Sequence, residues 1–177
     1  MNTQNTAARR PSVVVVTGAA NGIGRATSDM LVDDGHIVIG IDKDLRAPRH
    51  PRLRMLTGDV ADVSILRDAA ELAASFGDVV GWVNNVGVGC WKLPCEFEAT
   101  DLKRVLDVNL LSIMMGTSVA ADVLVPGSSV VNMSSIHAAR AFQAGSVYAG
   151  TKAAIEAFSR GAARDLAPTL RVNVIRP

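Results

Sequence analysis

Thr17-Gly18-Ala19-Ala20-Asn21-Gly22-Ile23-Gly24 lies between two contrasting stretches. Ser12-Val13-Val14-Val15-Val16 precedes it, a β-branched run of the kind that forms a strand buried on both faces. After it, Ala26, Met30 and Leu31 make a helical apolar stripe that ends at Asp33-Asp34-Gly35. One glycine lets the backbone reverse without a Cβ clash, and another lets it approach a pyrophosphate closely. The helix N-terminus then turns free N–H groups and its positive dipole end toward that phosphate. This is a nucleotide site in outline, although glycine-rich turns also simply join strands to helices.

The next strand separates the two readings. Ile37–Ile41 ends in Asp42, 18 residues past Gly24, close to the offset of roughly 20 residues at which an acid meets the adenosine ribose hydroxyls. The following connection, 43–54, carries Pro48 and Pro51, shows no helical period, and reads as a loop or a single turn. It holds Lys43, Arg46, Arg49, Arg52 and Arg54 against Asp44. A solvated basic loop is one reading; the other seats Lys43 or Arg46 on a ribose 2′-phosphate. Asp42 opposes the second, because a carboxylate repels that phosphate and hydrogen-bonds free hydroxyls well. NAD is therefore expected over NADP.

Strand-like and helix-like stretches alternate along the rest of the chain. Strands are expected near 12–17, 36–41, 53–57, 79–83, 129–133 and 170–175, with helices near 22–34, 62–75, 99–124 and 146–166. This alternation predicts an α/β fold, a doubly wound parallel sheet with right-handed crossovers and both faces covered. With 177 residues, 49% of them hydrophobic, the chain can core one domain over 12–177. Residues 1–11 are polar, lack the apolar core of a signal peptide, and read as a disordered tail of a cytoplasmic protein. The net charge of +1 favours neither nucleic acid nor an anionic membrane. Cys90 and Cys95 have no His/Cys cluster for a metal and read as free thiols.

Tyr148, the chain's one tyrosine, and Lys152 stand i, i+4 on one helix face. A free phenol titrates near ~10, too high for a base at neutral pH, and a neighbouring ammonium favours the phenolate. Such pairs also occur on helices without function. Ser134 and Ser135 follow the apolar strand Val130–Met133, at the carboxyl end where open parallel sheets bind ligands. Asn84-Asn85-Val86-Gly87 stands at the equivalent end of the strand before it, in turn-forming chemistry. His137 reads as a pocket-edge or structural histidine rather than a base. Asn109, mid-helix among Val108, Leu110 and Leu111, predicts a helix distortion or a bound water.

Together these stretches resemble the short-chain dehydrogenase/reductase family. They match its glycine motif (Thr17, Gly18, Gly22, Ile23, Gly24), its Asp59-Val60 segment, and its Asn-Asn-Ala-Gly motif with Val86 for the alanine. They also match its Asn, Ser, Tyr, Lys set, with Ser135 placed 13 residues before Tyr148. The resemblance runs from Val13 to Pro177 and implies a Rossmann fold and hydride exchange between NAD and a secondary alcohol or ketone. It implies that Tyr148 moves the hydroxyl proton and Ser135 holds the substrate oxygen. Lys152 binds the nicotinamide ribose and tunes Tyr148, and Asn109 holds a water linking Lys152 to solvent. Gly18, Asn21, Gly22, Ile23, Gly24, Asp42, Asp59, Val60, Asn85 and Gly87 border the cofactor alongside Tyr148 and Lys152.

The sequence ends at Asn173-Val174-Ile175-Arg176-Pro177, where the family continues through Pro-Gly into a substrate lid, a helix and a last strand. A truncated sequence or an incomplete gene product is expected rather than a naturally lidless enzyme, with 170–175 left as a sheet edge. Two alternatives follow: a nucleotide-binding fragment impaired in catalysis without its lid, and an NADPH-dependent carbonyl reductase. The resemblance implies a homodimer or homotetramer through helices 99–124 and 146–166, where Ala149, Gly150, Ala153, Ala154 and Ala157 allow close approach. Trp91, Leu93, His137, Ala138 and Phe142 are candidates for an apolar pocket for a small alcohol or carbonyl substrate.

Overall fold

A computed structural model of the chain describes residues 10–44, 50–140 and 142–177. The strands are β1 (Ser12–Thr17), β2 (Ile37–Asp42), β3 (Leu53–Thr57), β4 (Asp78–Asn84), β5 (Leu124–Met133) and β6 (Arg171–Ile175). The helices are α1 (Gly22–Asp33), α2 (Val63–Phe76), α3 (Ala99–Leu106), α4 (Ser112–Val123) and α5 (Ser146–Asp165). The six strands form one sheet in the order β3-β2-β1-β4-β5-β6, every neighbouring pair parallel. Strand order reverses between β1 and β4, and that switch point is where an open parallel sheet leaves a crevice at its carboxyl end.

Period-two alternation sorts β1 between the two faces. Val13 and Val15 join Leu66, Ala69 and Ala73 of α2, Val119 and Ala120 of α4, and Ala162 of α5 in the larger core cluster. Val14 and Val16 join Val32 of α1 in a smaller one. The second face is thus covered less than the sequence led one to expect. Val80, Val83 and Val131 are only half-buried, because α1 is the one helix that contributes to the smaller cluster. By length and composition the helical run Ala99–Val123 could cross a membrane, but half of its most apolar stretch is buried in this domain.

Two boundaries differ from expectation. β5 begins at Leu124 rather than near 129, with an irregular register between Val79↔Leu124 and Gly81↔Ser129. The expected helix 99–124 is interrupted by a π-turn over Asp107–Leu111, centred on Asn109. The middle of the basic connection, including Arg46, Pro48 and Arg49, lies outside the described residues, as do residues 1–9 of the expected tail.

A buried amide chain fixes the strand ends. Trp82 Nε1 donates to Asn84 Oδ1 at 2.9 Å, Asn84 Nδ2 to Asn132 Oδ1 at 2.9 Å, and Asn132 Nδ2 to Ser159 Oγ at 2.9 Å. Fully satisfied buried amides specify one arrangement, because any slip leaves them unpaired. The chain therefore sets β4, β5 and α5 in register just below the crevice.

Candidate active site

The turn after β1 needs its glycines for different reasons. Gly18 and Gly22 adopt φ of +71° and +54°, the left-handed region that side chains avoid. Gly24 is excluded from change by contact instead: a Cβ there would lie 2.1 Å from the Gly18 carbonyl oxygen. A Cβ on Gly22 would meet nothing within 4 Å, so space is open above the start of α1. Asn21 extends no side-chain cap over that helix start, which leaves first-turn N–H groups for an anion.

Long-range hydrogen bonds hold this turn to its neighbours. Asp42 accepts from Ala20 N at 2.9 Å and from Asp44 N at 3.1 Å, so the carboxylate is anchored at the mouth of the turn. Thr17 is a tie whose role the sequence reading missed. Its carbonyl accepts from Asn85 Nδ2 at 3.0 Å, and its hydroxyl oxygen accepts from Asn85 N at 2.9 Å and Val86 N at 3.3 Å.

A cavity of about 650 Å³ opens over these residues, lined by Gly18, Asn21, Asp42, Asp59, Val60, Asn85 and Gly87. Its far wall is Thr100, Lys103, Arg104 and Asp107. These were missed, although their i, i+3, i+4, i+7 spacing marks a single helix face. Lys43 binds Asp59 at 2.7 Å. Burial works against the Asp59 charge, but Lys43 and the Ala61 N–H outweigh it and hold that carboxyl below the usual carboxylate range.

A second recess of about 170 Å³ is lined by Ile23, Asn85, Gly87, Ser135, Tyr148 and Lys152, and shares Asn85 and Gly87 with the first. Tyr148 and Lys152 rise from α5 one turn apart, with Lys152 Nζ 5.6 Å from the phenol ring centre. Ser135 Oγ accepts from His137 N at 3.2 Å, which leaves its own O–H to donate elsewhere. The rings of Trp91, Phe142 and His137 converge on Tyr148, their centres 5.5, 6.5 and 6.4 Å from its own. His137 is thus a ring at the pocket edge, tilted 42° against Phe142 with centres 3.9 Å apart. Leu93, half out in solvent at 41% exposure, caps the short turn Pro94–Glu96.

Asn109 stands behind the recess rather than in it. Its Oδ1 accepts from Val88 N at 2.7 Å, and its Nδ2 donates to Val88 O at 2.8 Å and Thr151 Oγ1 at 3.2 Å. The π-turn swings the amide into these three bonds and leaves one lone pair of Oδ1 for a water.

Lys152 is only 3% exposed, and its ammonium donates to Met133 O at 2.8 Å. Burial lowers its pKa to about 8. The cost of burying that charge is present in full below pH 8 and is relieved as pH rises from 8 toward 10.5. A shift of this size corresponds to about 3 kcal/mol. Lys152→Met, after losing one hydrogen bond, is therefore expected to stabilise the chain at neutral pH by about 2 kcal/mol. It should also remove the gain in stability between pH 8 and 10. Urea unfolding at the two pH values checks both.

Comparison with known proteins agrees with this geometry. A sequence profile of the short chain dehydrogenases matches residues 12–177. An uncharacterized oxidoreductase of Methylorubrum extorquens is 33% identical, with 93% of this chain aligned to 71% of that protein. The cis-4-hydroxycyclohexanecarboxylate dehydrogenase of Sinomonas cyclohexanicum is 35% identical, over 93% of this chain and 72% of that one. Among solved structures, the ligand-free aldohexose dehydrogenase of Thermoplasma acidophilum superposes with a TM-score of 0.89 at 28% identity. That match covers 95% of this chain and 66% of that one. With its 3-2-1-4-5-6 sheet, its glycine turn and its Ser135, Tyr148 and Lys152 on one recess, the chain belongs to the short chain dehydrogenase family.

Proposed function

We propose that the chain binds NAD and, with it, interconverts a secondary alcohol and its ketone. The observation that carries this reading is the continuity of the two cavities: Asn85 and Gly87 border both. A group bound over the glycine turn therefore reaches Tyr148, Lys152 and Ser135. The residues present fit a nicotinamide dinucleotide, since the open space above Gly22 and the uncapped start of α1 suit a pyrophosphate. When bound, that cofactor supplies the hydride acceptor or donor.

The protein's own work is proton transfer and positioning. Ser135 donates its O–H to the substrate oxygen, and Tyr148 moves the proton of the same group at its Oη. Lys152, charged below pH 8, places its ammonium beside the Tyr148 ring and would hydrogen-bond the nicotinamide ribose. Asn109 keeps Val88 and Thr151 in place behind them.

Asp42 supports NAD over NADP. Its anchored carboxylate faces the cavity where ribose hydroxyls can donate to its remaining lone pairs, and it repels a 2′-phosphate. Lys43, the cation nearest in sequence, is engaged by Asp59. Nicotinamide fluorescence titration should show NADH bound at least about tenfold more tightly than NADPH, a preference of about 1.4 kcal/mol. Equal binding of both removes the assignment of Asp42, and turnover of a secondary-alcohol panel with NAD then tests the reaction itself.

A second reading, a nucleotide-binding module without turnover, is favoured by the openness of the recess. Trp91 is 61% and Ile136 48% exposed at its rim, and a wet site holds substrate poorly. Turnover of any alcohol in the panel by this chain excludes it. Exposed Leu106, Leu111 and Met115 along α3–α4 support assembly into a homodimer or homotetramer through that face.

A further inference from the structure

Glu156 is a buried acid that the proposed chemistry does not use. It stands one turn beyond Lys152 on α5, the spacing at which an acid and an ammonium on one helix face meet. The two make no ion pair with each other among the described residues. Lys152 Nζ donates instead to Met133 O at 2.8 Å. Both carboxylate oxygens of Glu156 are taken by Arg176, from just past β6: Nε donates to Oε1 at 2.6 Å, and a terminal N–H donates to Oε2.

Ser134 joins the same group. Its single hydroxyl proton is shared between Glu156 Oε1 at 2.8 Å and Lys152 O at 3.1 Å. Ser134 N donates to Ile175 O at 2.8 Å and Ile136 N to Pro177 O at 3.1 Å. The segment that carries Arg176 is thereby tied to the segment that carries Ser135. The Glu156 side chain is 11% exposed with Arg176 lying over it, so removal of Arg176 leaves its charge without the paired cation.

We propose that Arg176 is a positioning residue: by holding both oxygens of Glu156 it keeps this buried carboxylate off Lys152. The ammonium is then left to Met133 and to the face of Tyr148. This rests on the roles proposed above for Lys152 and Tyr148. Among the described residues, the charged and titratable groups around Glu156 and Lys152 are few. Arg160 follows on α5, exposed and acting on Glu156 only through its field; Arg176 comes from the end of β6; Tyr148 faces Lys152 from α5, and His137, from the turn after β5, packs on Tyr148. Arg176 foremost, with Ser134 behind it, holds the Glu156 carboxyl below its ordinary range against the effect of burial.

Lys152 can be observed directly, because the chain has four lysines, Lys43, Lys92, Lys103 and Lys152. In the full chain labelled with ¹³C-lysine, the side-chain signal absent from Lys152→Met is the one to follow with pH. Arg176→Gln is expected to raise its midpoint by about one pH unit, since the freed carboxylate turns to the ammonium. The double variant Glu156→Gln/Arg176→Gln should return it to within about 0.3 unit of the unaltered chain, because the two changes share one partner. If Arg176→Gln does not fold by circular dichroism, Arg176→Lys should raise the midpoint by a smaller step, as it keeps the charge and loses the fork.

An unchanged midpoint in the single variant, with Arg160 taking over the carboxylate, overturns the proposal. So does an equal rise in the single and the double, which would mean that Arg176 only props the strand end. The titration needs neither cofactor nor turnover, so its failure and the failure of the alcohol panel are separate results.

Discussion

Tyr148→Phe is expected to lower turnover of any secondary-alcohol substrate by about 10³-fold or more, while NADH binding changes by less than about twofold. The substitution removes one oxygen and leaves the ring. That ring holds its place through contacts at 5.5 Å with Trp91 and 6.5 Å with Phe142, so the pocket keeps its shape. Ser135 still donates its hydroxyl, and Lys152 is still held by Met133 O. What is lost is the hydroxyl proposed to give or take the proton on the substrate oxygen, while Lys152 in the same recess is engaged by Met133 O. His137 does not replace it, being packed at a tilt against Phe142 and set edge-on to the phenol. Steady-state kinetics beside a fluorescence titration measure the two quantities separately, and retention of a tenth of the activity would remove Tyr148 from this role.

Gly24→Ala carries the second large effect. The new Cβ would lie 2.1 Å from the Gly18 carbonyl oxygen and 2.5 Å from Asn85 Nδ2, inside any allowed contact. Neither neighbour can yield cheaply. Gly18 is backbone in a left-handed turn, and Asn85 is bonded to the Thr17 carbonyl at 3.0 Å. Overpacking of this kind costs about 1–3 kcal/mol. Because the atoms displaced are those of the phosphate turn, NADH affinity should fall by more than the fold does, about 30-fold or beyond. Gly22→Ala is the control, with open space around its Cβ but a φ of +54°. It should cost about 1 kcal/mol of backbone strain and disturb binding less. Urea unfolding and nicotinamide titration of both variants check the order, and equal losses would mean that strain rather than contact governs the turn.

Much of this site was legible in the chain because its signals are local. A run of valines, a turn demanding left-handed φ, and a Tyr–Lys pair at helical spacing each express a preference of a few neighbouring residues. Asn109 was legible in part, since an amide amid apolar helix residues has to find partners. Whether it would bend the helix or bind water depended on Val88 and Thr151, which lie 21 and 42 residues away. Thr17 was quoted as part of a motif, yet its grip on Asn85 across 68 residues appears only when β1 and β4 pair. The wall of α3 was passed over because its residues look like an ordinary solvated helix face.

The sequence by itself determined that strands and helices alternate, that the first crossover opens on a phosphate-type turn, and which side chains could carry chemistry. Those properties are set by periodicity and backbone sterics, which act over a few residues. The tertiary structure alone decided that Ser135 shares a recess with Tyr148 and Lys152, and that α1 covers its face of the sheet with little help. It alone decided that Arg176 rather than Lys152 holds Glu156. These outcomes follow from strand register and from competition between partners far apart in the chain, where a buried charge takes the cation that the fold brings nearest.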